Sequence, residues 1–230
     1  MAVELTRQGR DWLVLQPNIK SLEIDTEEAL HLSSSTAVTG SDIMKIEGLR
    51  GDGDGSSEPW EVAILDTGTS PTHSALVGKI AAEACFTTDR SCPNGLDTMV
   101  GQGAGVPCAN YTAGCFHGTH VAGVVASTNV NGEPGGTAID AKLVSIRVFN
   151  SNVAASVSSV IAGLDHVLAR VNSGGRVAAV NMSFGSGFFT SEASCDAANV
   201  AYKSAIDALR DSGVLVVASS GNNGLSLIHI

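Results

Sequence analysis

Asp66 and His117 are the residues whose types and settings best suit catalysis. Asp66 follows a short apolar run at 62–65, and His117 begins a stretch of small residues that is typical of a helix buried on all sides. An imidazole at the start of such a helix can reach a carboxylate at the end of a strand. Because a histidine beside a carboxylate can act as a general base, this pair predicts proton-transfer chemistry.

His117 has two other interpretations, a packed core histidine and a metal ligand. Zinc-binding helices place two histidines four residues apart with a glutamate between them. Here His120 follows His117 at a spacing of three, and no glutamate lies between them. The spacing therefore disfavours a metal site, and we expect no metal ligand among the site residues.

Nearly continuous apolar runs alternate with helical patterns from residue 60 onward. The runs lie at 61–65, 143–149, 177–183 and 214–219, and they are typical of strands covered on both faces. Apolar residues recur at helical spacing over 157–171 and over 201–209. This alternation predicts an α/β three-layer sandwich with a mainly parallel sheet. Ligands should gather at the carboxyl ends of its strands, where Asp66, Ser183 and the turn 220–222 lie.

Composition narrows the class of protein and its partners. Hydrophobic residues make up 43% of the 230 and charged residues 16%, which excludes a disordered chain. No apolar run is long enough to form a membrane-spanning helix. The formal net charge of −10 argues against a nucleic-acid partner and against an anionic membrane surface.

Five cysteines are present, and four of them lie in one loop-like stretch between Cys85 and Cys115. None forms the close pairs that are typical of metal sites. Two disulfides among Cys85, Cys92, Cys108 and Cys115 are therefore expected, which implies an oxidising compartment. Three pairings are open, and the local one, Cys85 with Cys92 and Cys108 with Cys115, is preferred. Cys195 is left over.

Four sequence blocks together resemble a known family. In chain order they are Val62-Ala63-Ile64-Leu65-Asp66-Thr67-Gly68, His117-Gly118-Thr119-His120-Val121-Ala122-Gly123, Asn181-Met182-Ser183-Phe184-Gly185 and Ser220-Gly221-Asn222. Their types and order resemble the subtilisin-like serine proteases, or subtilases, over residues 60–224, and the predicted sheet is that of a subtilisin-like fold. The order of the aspartate and the histidine is that of the subtilisin triad.

The resemblance implies a role for each matching residue. Asp66 would be the carboxylate of the triad, His117 the general base, and Asn222 the side-chain donor to the oxyanion. Substrate-binding residues would lie on a strand that pairs with the substrate backbone and on one wall of the specificity pocket: Ser183, Phe184, Gly185, Ala218, Ser219, Ser220 and Gly221. The expected activity is that of a serine endopeptidase that passes through an acyl-enzyme.

Cofactors, partners and location follow from the same resemblance. No organic cofactor is required, and a structural calcium ion at the segment 129–134 is an open alternative. The expected partners are a peptide or protein substrate and the protein's own propeptide. A secreted protein is expected, with its signal peptide upstream of Met1.

Both ends of the chain depart from a complete family domain. Residues 1–33 resemble the end of an inhibitory propeptide, cleaved somewhere within 29–35, and 34–224 would be the N-terminal part of the catalytic domain. The block that carries the nucleophilic serine is expected after Asn222 and does not occur there, so we expect this chain by itself to be inactive and its fold to be incomplete at the C-terminus. Residues 225–230 match the translation of a transposase adaptor used in sequencing libraries.

Two other functional classes are kept as alternatives. The first is a catalytically inactive subtilisin-like domain that binds peptides along residues 183–185. The second is an NAD-dependent α/β enzyme, which is disfavoured because no glycine-rich phosphate turn follows the strand before Asp66. The glycines at 101–105 imitate such a turn, but the sequence predicts no strand before them.

Overall fold

The structure is a computed structural model that describes most of the chain from residue 39 onward. The described residues are Thr6, Trp12, Gln16, Pro17, 39–53, 58–108, 114–130, 132, 134–185 and 189–219. The chain divides into two units, Met1–His31 and Leu32–Ile230, and the fold below is that of the second unit. Apart from four residues, the predicted propeptide remnant 1–33 lies outside the described residues, as do the turn 220–222 and the segment 225–230.

Strands and helices alternate along the described part of the second unit. The strands are β1 (Glu61–Asp66), β2 (Ile80–Phe86), β3 (Thr98–Val100), β4 (Lys142–Arg147), β5 (Val177–Met182) and β6 (Leu215–Ala218). The helices are α1 (Ser41–Ile46), α2 (His117–Ala126), α3 (Val157–Asn172), α4 (Glu192–Ala198) and α5 (Val200–Asp211). The four predicted apolar runs correspond to β1, β4, β5 and β6, and the two helical patterns correspond to α3 and α5.

The strands form one sheet in the order β3-β2-β4-β1-β5-β6. β1 lies inside the sheet and pairs in parallel with β4 and β5, and β6 pairs in parallel with β5. Only β3 is antiparallel to its neighbour, β2. The predicted α/β fold with a mainly parallel sheet is confirmed.

Alternate side chains of β1 enter two separate cores, one on each face of the sheet. Leu65 packs with Leu164 of α3 and Leu209 of α5 in the larger core. Ile64 packs with Ala122 of α2 in the smaller one. Because helices cover the sheet on both faces, the described unit has three layers, and the ends of its central strands lie between two helical layers.

Two predictions of burial were wrong. β6 was expected to be covered on both faces, yet Leu215 and Val217 are 63% and 44% exposed. Among the described residues β6 has a strand neighbour on one side only, so it is an edge strand. Helix α2 was expected to be buried on all sides, but its buried residues lie on one face and Val124 is 42% exposed. The helix packs against the sheet through that face alone.

β2 and β3 were not predicted, and they change the interpretation of the cysteine-rich stretch. Cys85 lies within β2 and not in a loop. β3 ends at Val100, so a strand does precede the glycines at 101–105, contrary to expectation, although no helix begins within 101–108. Glu83 interrupts the apolar pattern of β2, and β3 has only three residues, which explains why neither strand was recognised.

The structure joins Cys85 to Cys92 and Cys108 to Cys115. This is the local pairing among the three that the sequence leaves open. Each bond spans a sequence separation of seven residues. Cys195 lies in α4 and has no disulfide partner among the described residues.

Candidate active site

Asp66 and His117 meet at the carboxyl end of β1. His117 Nδ1 lies 2.8 Å from Asp66 Oδ1 and 2.9 Å from Asp66 Oδ2. The Asp66 side chain is 1% exposed, whereas the His117 side chain is 48% exposed. One ring nitrogen is therefore occupied by a buried carboxylate while the ring itself is open to solvent. Such an imidazole can take up a proton and remain stabilised by the carboxylate.

The turn after β1 holds the carboxylate in place. The backbone N–H of Thr67 donates to Asp66 Oδ1 at 2.7 Å. Gly68 has a φ of +99°, and a Cβ atom there would lie 2.4 Å from the carbonyl oxygen of Val106. Only glycine satisfies both the left-handed backbone and this close approach, which explains the glycine of the Asp-Thr-Gly block.

Thr67 links this turn to the start of α2. Its hydroxyl accepts from the backbone N–H of Gly118 at 3.0 Å and donates to the carbonyl of Cys115 at 3.0 Å. Thr67 is 2% exposed, so these bonds form within the protein interior. Sequence reasoning did not assign this residue. The only signal was a short hydroxyl side chain beside a strand-end aspartate, which suits bonding to nearby backbone.

Arg147 is a second residue that sequence reasoning missed. It ends β4 directly opposite Asp66 in the parallel register and is 2% exposed. Its Nε donates to the carbonyl of Phe149 at 2.9 Å, while Nη2 has no hydrogen-bond partner among the described residues. Burial lowers the pKa of Arg147, and the charge of Asp89 opposes that shift. An arginine inside an apolar run is the signal that could have identified it.

The predicted substrate strand begins directly after β5, which neighbours β1. Ser183 Oγ accepts from Asn181 Nδ2 at 2.9 Å. Phe184 meets Phe149 edge to face, with ring centroids 5.2 Å apart and an interplanar angle of 78°. Gly185 is exposed. The structure therefore places residues 183–185 at the same edge of the sheet as Asp66.

The predicted pocket wall is described only in part. Ala218 ends β6 and is exposed. The backbone N–H of Ser219 donates to the carbonyl of Met182 at 3.1 Å, which ties this segment to the end of β5. Ser220, Gly221 and Asn222 lie outside the described residues, so the structure does not place the predicted oxyanion donor.

The described residues do not bring together a set of side chains that could bind a metal ion. No group of three or more His, Cys, Asp or Glu side chains among them is arranged to hold one. In the segment 129–134, Asn129 Oδ1 accepts from the backbone N–H of Gly135 at 2.6 Å, and positions 131 and 133 lie outside the described residues. Within the described part of the chain, no helix has the length and apolar character needed to cross a membrane.

A cavity of about 660 Å³ lies elsewhere on the sheet. Residues 80–83 of β2 and residues of α3, among them His166 and Arg170, line it, whereas neither Asp66 nor His117 does. Arg170 is held by Glu61, with Nε 2.6 Å from Glu61 Oε2. This cavity therefore does not include the proton-transfer pair. Among the described residues, the candidate active site is the Asp66–His117 pair, which lies at the carboxyl end of β1.

Comparison with known proteins agrees with this arrangement. The sequence model of the subtilase family matches residues 60–228. M-protease from Shouchella clausii (strain KSM-K16) is 32% identical over 231 aligned positions, covering 99% of this chain and 50% of the relative. Extracellular serine proteinase from Thermus sp. (strain Rt41A) is 30% identical and covers 97% of this chain and 47% of the relative.

A solved structure also resembles this fold. Sphericase superposes with a TM-score of 0.56 at 26% identity, over 72% of this chain and 47% of that chain. The chain thus spans about half the length of the relatives that it matches. With the sheet order, the Asp66–His117 geometry and the family match in agreement, the chain belongs to the subtilase family.

Proposed function

We propose that the protein is a serine endopeptidase and that this chain supplies the aspartate and the histidine of its catalytic triad. The observation that carries the proposal is the contact of His117 Nδ1 with both oxygens of the buried Asp66 carboxylate, at 2.8 and 2.9 Å. This contact holds the ring in the tautomer with its proton on Nδ1. Nε2 then remains free to accept the proton of a nucleophile.

The proposed reaction follows from this geometry. A serine that comes after Asn222 in chain order would attack the scissile carbonyl while His117 Nε2 takes the hydroxyl proton. The tetrahedral oxyanion would accept a hydrogen bond from the Asn222 side chain, a contribution of about 10²–10³ in kcat where such a donor has been removed. His117 would then protonate the leaving amine. In the second half of the reaction, His117 would take a proton from the attacking water and return it to the serine oxygen as the acyl-enzyme is hydrolysed.

We further propose that the substrate is a peptide or protein bound as an added strand. Residues 183–185 lie at the carboxyl edge of the sheet, and Gly185 is exposed, which supports pairing with a substrate backbone. Residues 218–221 would form one wall of the specificity pocket. One relative is named an extracellular serine proteinase, and this name and the two disulfides support secretion. The propeptide is proposed as a second occupant of the same cleft.

The proposal is tested on the protein expressed from its native gene. We expect hydrolysis of an unstructured protein such as casein and labelling by a serine-directed fluorophosphonate probe. Asp66→Asn should reduce kcat by about 10⁴ because the histidine loses its orienting carboxylate, while the protein stays folded.

Asp207→Asn is the matched control, since it makes the same chemical change at a half-buried position of α5 outside the site, and it should keep full activity. A folded native protein that neither hydrolyses casein nor reacts with the probe would contradict the proposal. If such a protein still bound peptides through 183–185, the activity would be that of a binding module.

A further inference from the structure

We propose that the Cys108–Cys115 disulfide is a positioning element for the Asp66–His117 pair. No hydrogen bond among those described joins either cysteine to a side chain of the pair, and the disulfide would act on the pair through the turn 66–69. The functional meaning of this role rests on the proposed peptidase activity, but the geometric claim does not, and it can be tested without catalysis.

One end of the disulfide holds the start of α2. Cys115 lies two residues before His117 and is fully buried. Its carbonyl accepts from the Thr67 hydroxyl at 3.0 Å, and the same hydroxyl accepts from the backbone N–H of Gly118 at 3.0 Å. The backbone on both sides of His117 is thus tied to the residue that follows Asp66.

The other end holds the opposite side of the same turn. Cys108 is 5% exposed and lies two residues after Val106. The backbone N–H of Thr69 donates to the carbonyl of Gly105 at 2.8 Å. Gly68 approaches Val106 so closely that a Cβ atom would lie 2.4 Å from its carbonyl oxygen. The segment that leads into Cys108 therefore forms the second wall around the turn.

The disulfide is a covalent link between these two walls. The turn 66–69 is held between the segment 105–106 on one side and the start of α2 on the other, and the bond joins the two segments. Without the disulfide, hydrogen bonds hold the start of α2 near β1. The helix could then move away from the strand, because water can replace the hydrogen bonds that are lost. Displacements of about 1 Å between catalytic groups can cost about 100-fold in rate.

The experiment is a measurement of the tautomer of His117 in the chain as it stands. The ¹⁵N chemical shifts of the two ring nitrogens report which nitrogen carries the proton. At about pH 9, where an ordinary imidazole is neutral, we expect the parent to hold the proton on Nδ1. Replacing both cysteines in C108S/C115S should shift the population towards the tautomer protonated on Nε2, because the contact with Asp66 loosens.

The Cys85–Cys92 bond provides a matched control. It spans the same sequence separation of seven residues, so its removal loosens the unfolded chain to the same extent. Neither of its cysteines makes a hydrogen bond to the turn 66–69 among the bonds described. C85S/C92S should keep the tautomer of the parent. An unchanged tautomer in C108S/C115S, or the same change in both double variants, would overturn the proposal.

A second pair of variants tests the connection with the disulfide intact. Thr67→Val keeps the shape of the side chain but removes the hydroxyl that joins Cys115 to Gly118, and it should shift the tautomer as C108S/C115S does. Thr67→Ser keeps the hydroxyl and should restore the tautomer of the parent. If Thr67→Val behaves like the parent, the disulfide does not act through this turn. This readout needs no nucleophile, so it is independent of whether the native protein hydrolyses peptides.

Discussion

At the scale of single residues, the candidate site combines a buried acid with an accessible base. Asp66 is almost completely removed from solvent and accepts from Thr67 N–H as well as lying beside His117. A carboxylate bonded in this way keeps a fixed direction, and the imidazole takes its orientation from the carboxylate. The asymmetry of exposure suits a histidine that must receive protons from a bound reactant.

A prediction at this scale concerns His166, which lies in α3 with its ring 5.7 Å from that of Phe86. Burial, and next the charge of Arg170, lower the pKa of His166 below its ordinary value of 6.5. The unfolded chain therefore binds this proton more readily, so the folded state loses stability as the pH falls below about 6.5. His166→Phe keeps an aromatic ring and should lose less stability between pH 7 and pH 5 than the parent does.

Urea unfolding at the two pH values measures this difference. The variant is compared with the parent at each pH, so that the effect of other titrating groups cancels. Equal losses of unfolding free energy in parent and variant would show that His166 does not contribute to the acid sensitivity.

At the scale of elements, the site depends on how closely α2 approaches the end of β1. A Cβ atom on Gly118 would lie 2.5 Å from the carbonyl oxygen of Gly68 and 3.0 Å from Asp66 Cβ. The helix can therefore place His117 beside the carboxylate only because its second residue has no side chain. Helix α2 carries another glycine, Gly123, whose added Cβ would meet no atom within 4 Å.

These two glycines give a prediction with an internal control. Gly118→Ala should lower the unfolding free energy by about 1–3 kcal/mol, because the helix must move away from the turn. Gly123→Ala should raise it by about 0.5–1 kcal/mol, because alanine loses less backbone entropy in a helix. Chemical denaturation of both variants measures the changes. Equal effects of the two substitutions would contradict the close packing of α2 against β1.

At the scale of the whole described unit, contacts distant in sequence join the layers. Arg170 near the end of α3 donates two hydrogen bonds to Glu61 at the start of β1, across 109 residues of sequence. Glu61 is 8% exposed. The hydrogen bond with Glu61 raises the pKa of Arg170, so the guanidinium stays charged. This pair fixes α3 against the central strand at the edge opposite to the candidate site.

Breaking this pair should destabilise the whole unit. Glu61→Gln should lower the unfolding free energy by about 1–3 kcal/mol, since the guanidinium loses a charged partner in a mostly buried position. Asp207→Asn removes one partner of the more solvent-accessible Lys203–Asp207 pair in α5 and should have a much smaller effect. Thermal unfolding compares the two. A larger effect of Asp207→Asn would refute the importance of the buried pair.

Sequence patterns and tertiary contacts explain different parts of this protein. The strands β1, β4, β5 and β6 and the helices α3 and α5 could be predicted because their apolar spacing is a local property. β2 could not, since Glu83 interrupts its pattern and its partners lie in other segments. The short elements α1, α4 and β3 offer too few turns or residues for any period to emerge.

The sequence by itself determined the family and the two residues, Asp66 and His117, on which the proposed chemistry depends, because their neighbours form local blocks in a characteristic order. Only the tertiary structure decided that these residues, 51 positions apart, lie within hydrogen-bond distance. It also revealed the bridge through Thr67, the position of Arg147 opposite Asp66, and the pairing of Cys108 with Cys115. These features depend on strand register and on the close approach of separate segments, which the residue types along the chain do not encode locally.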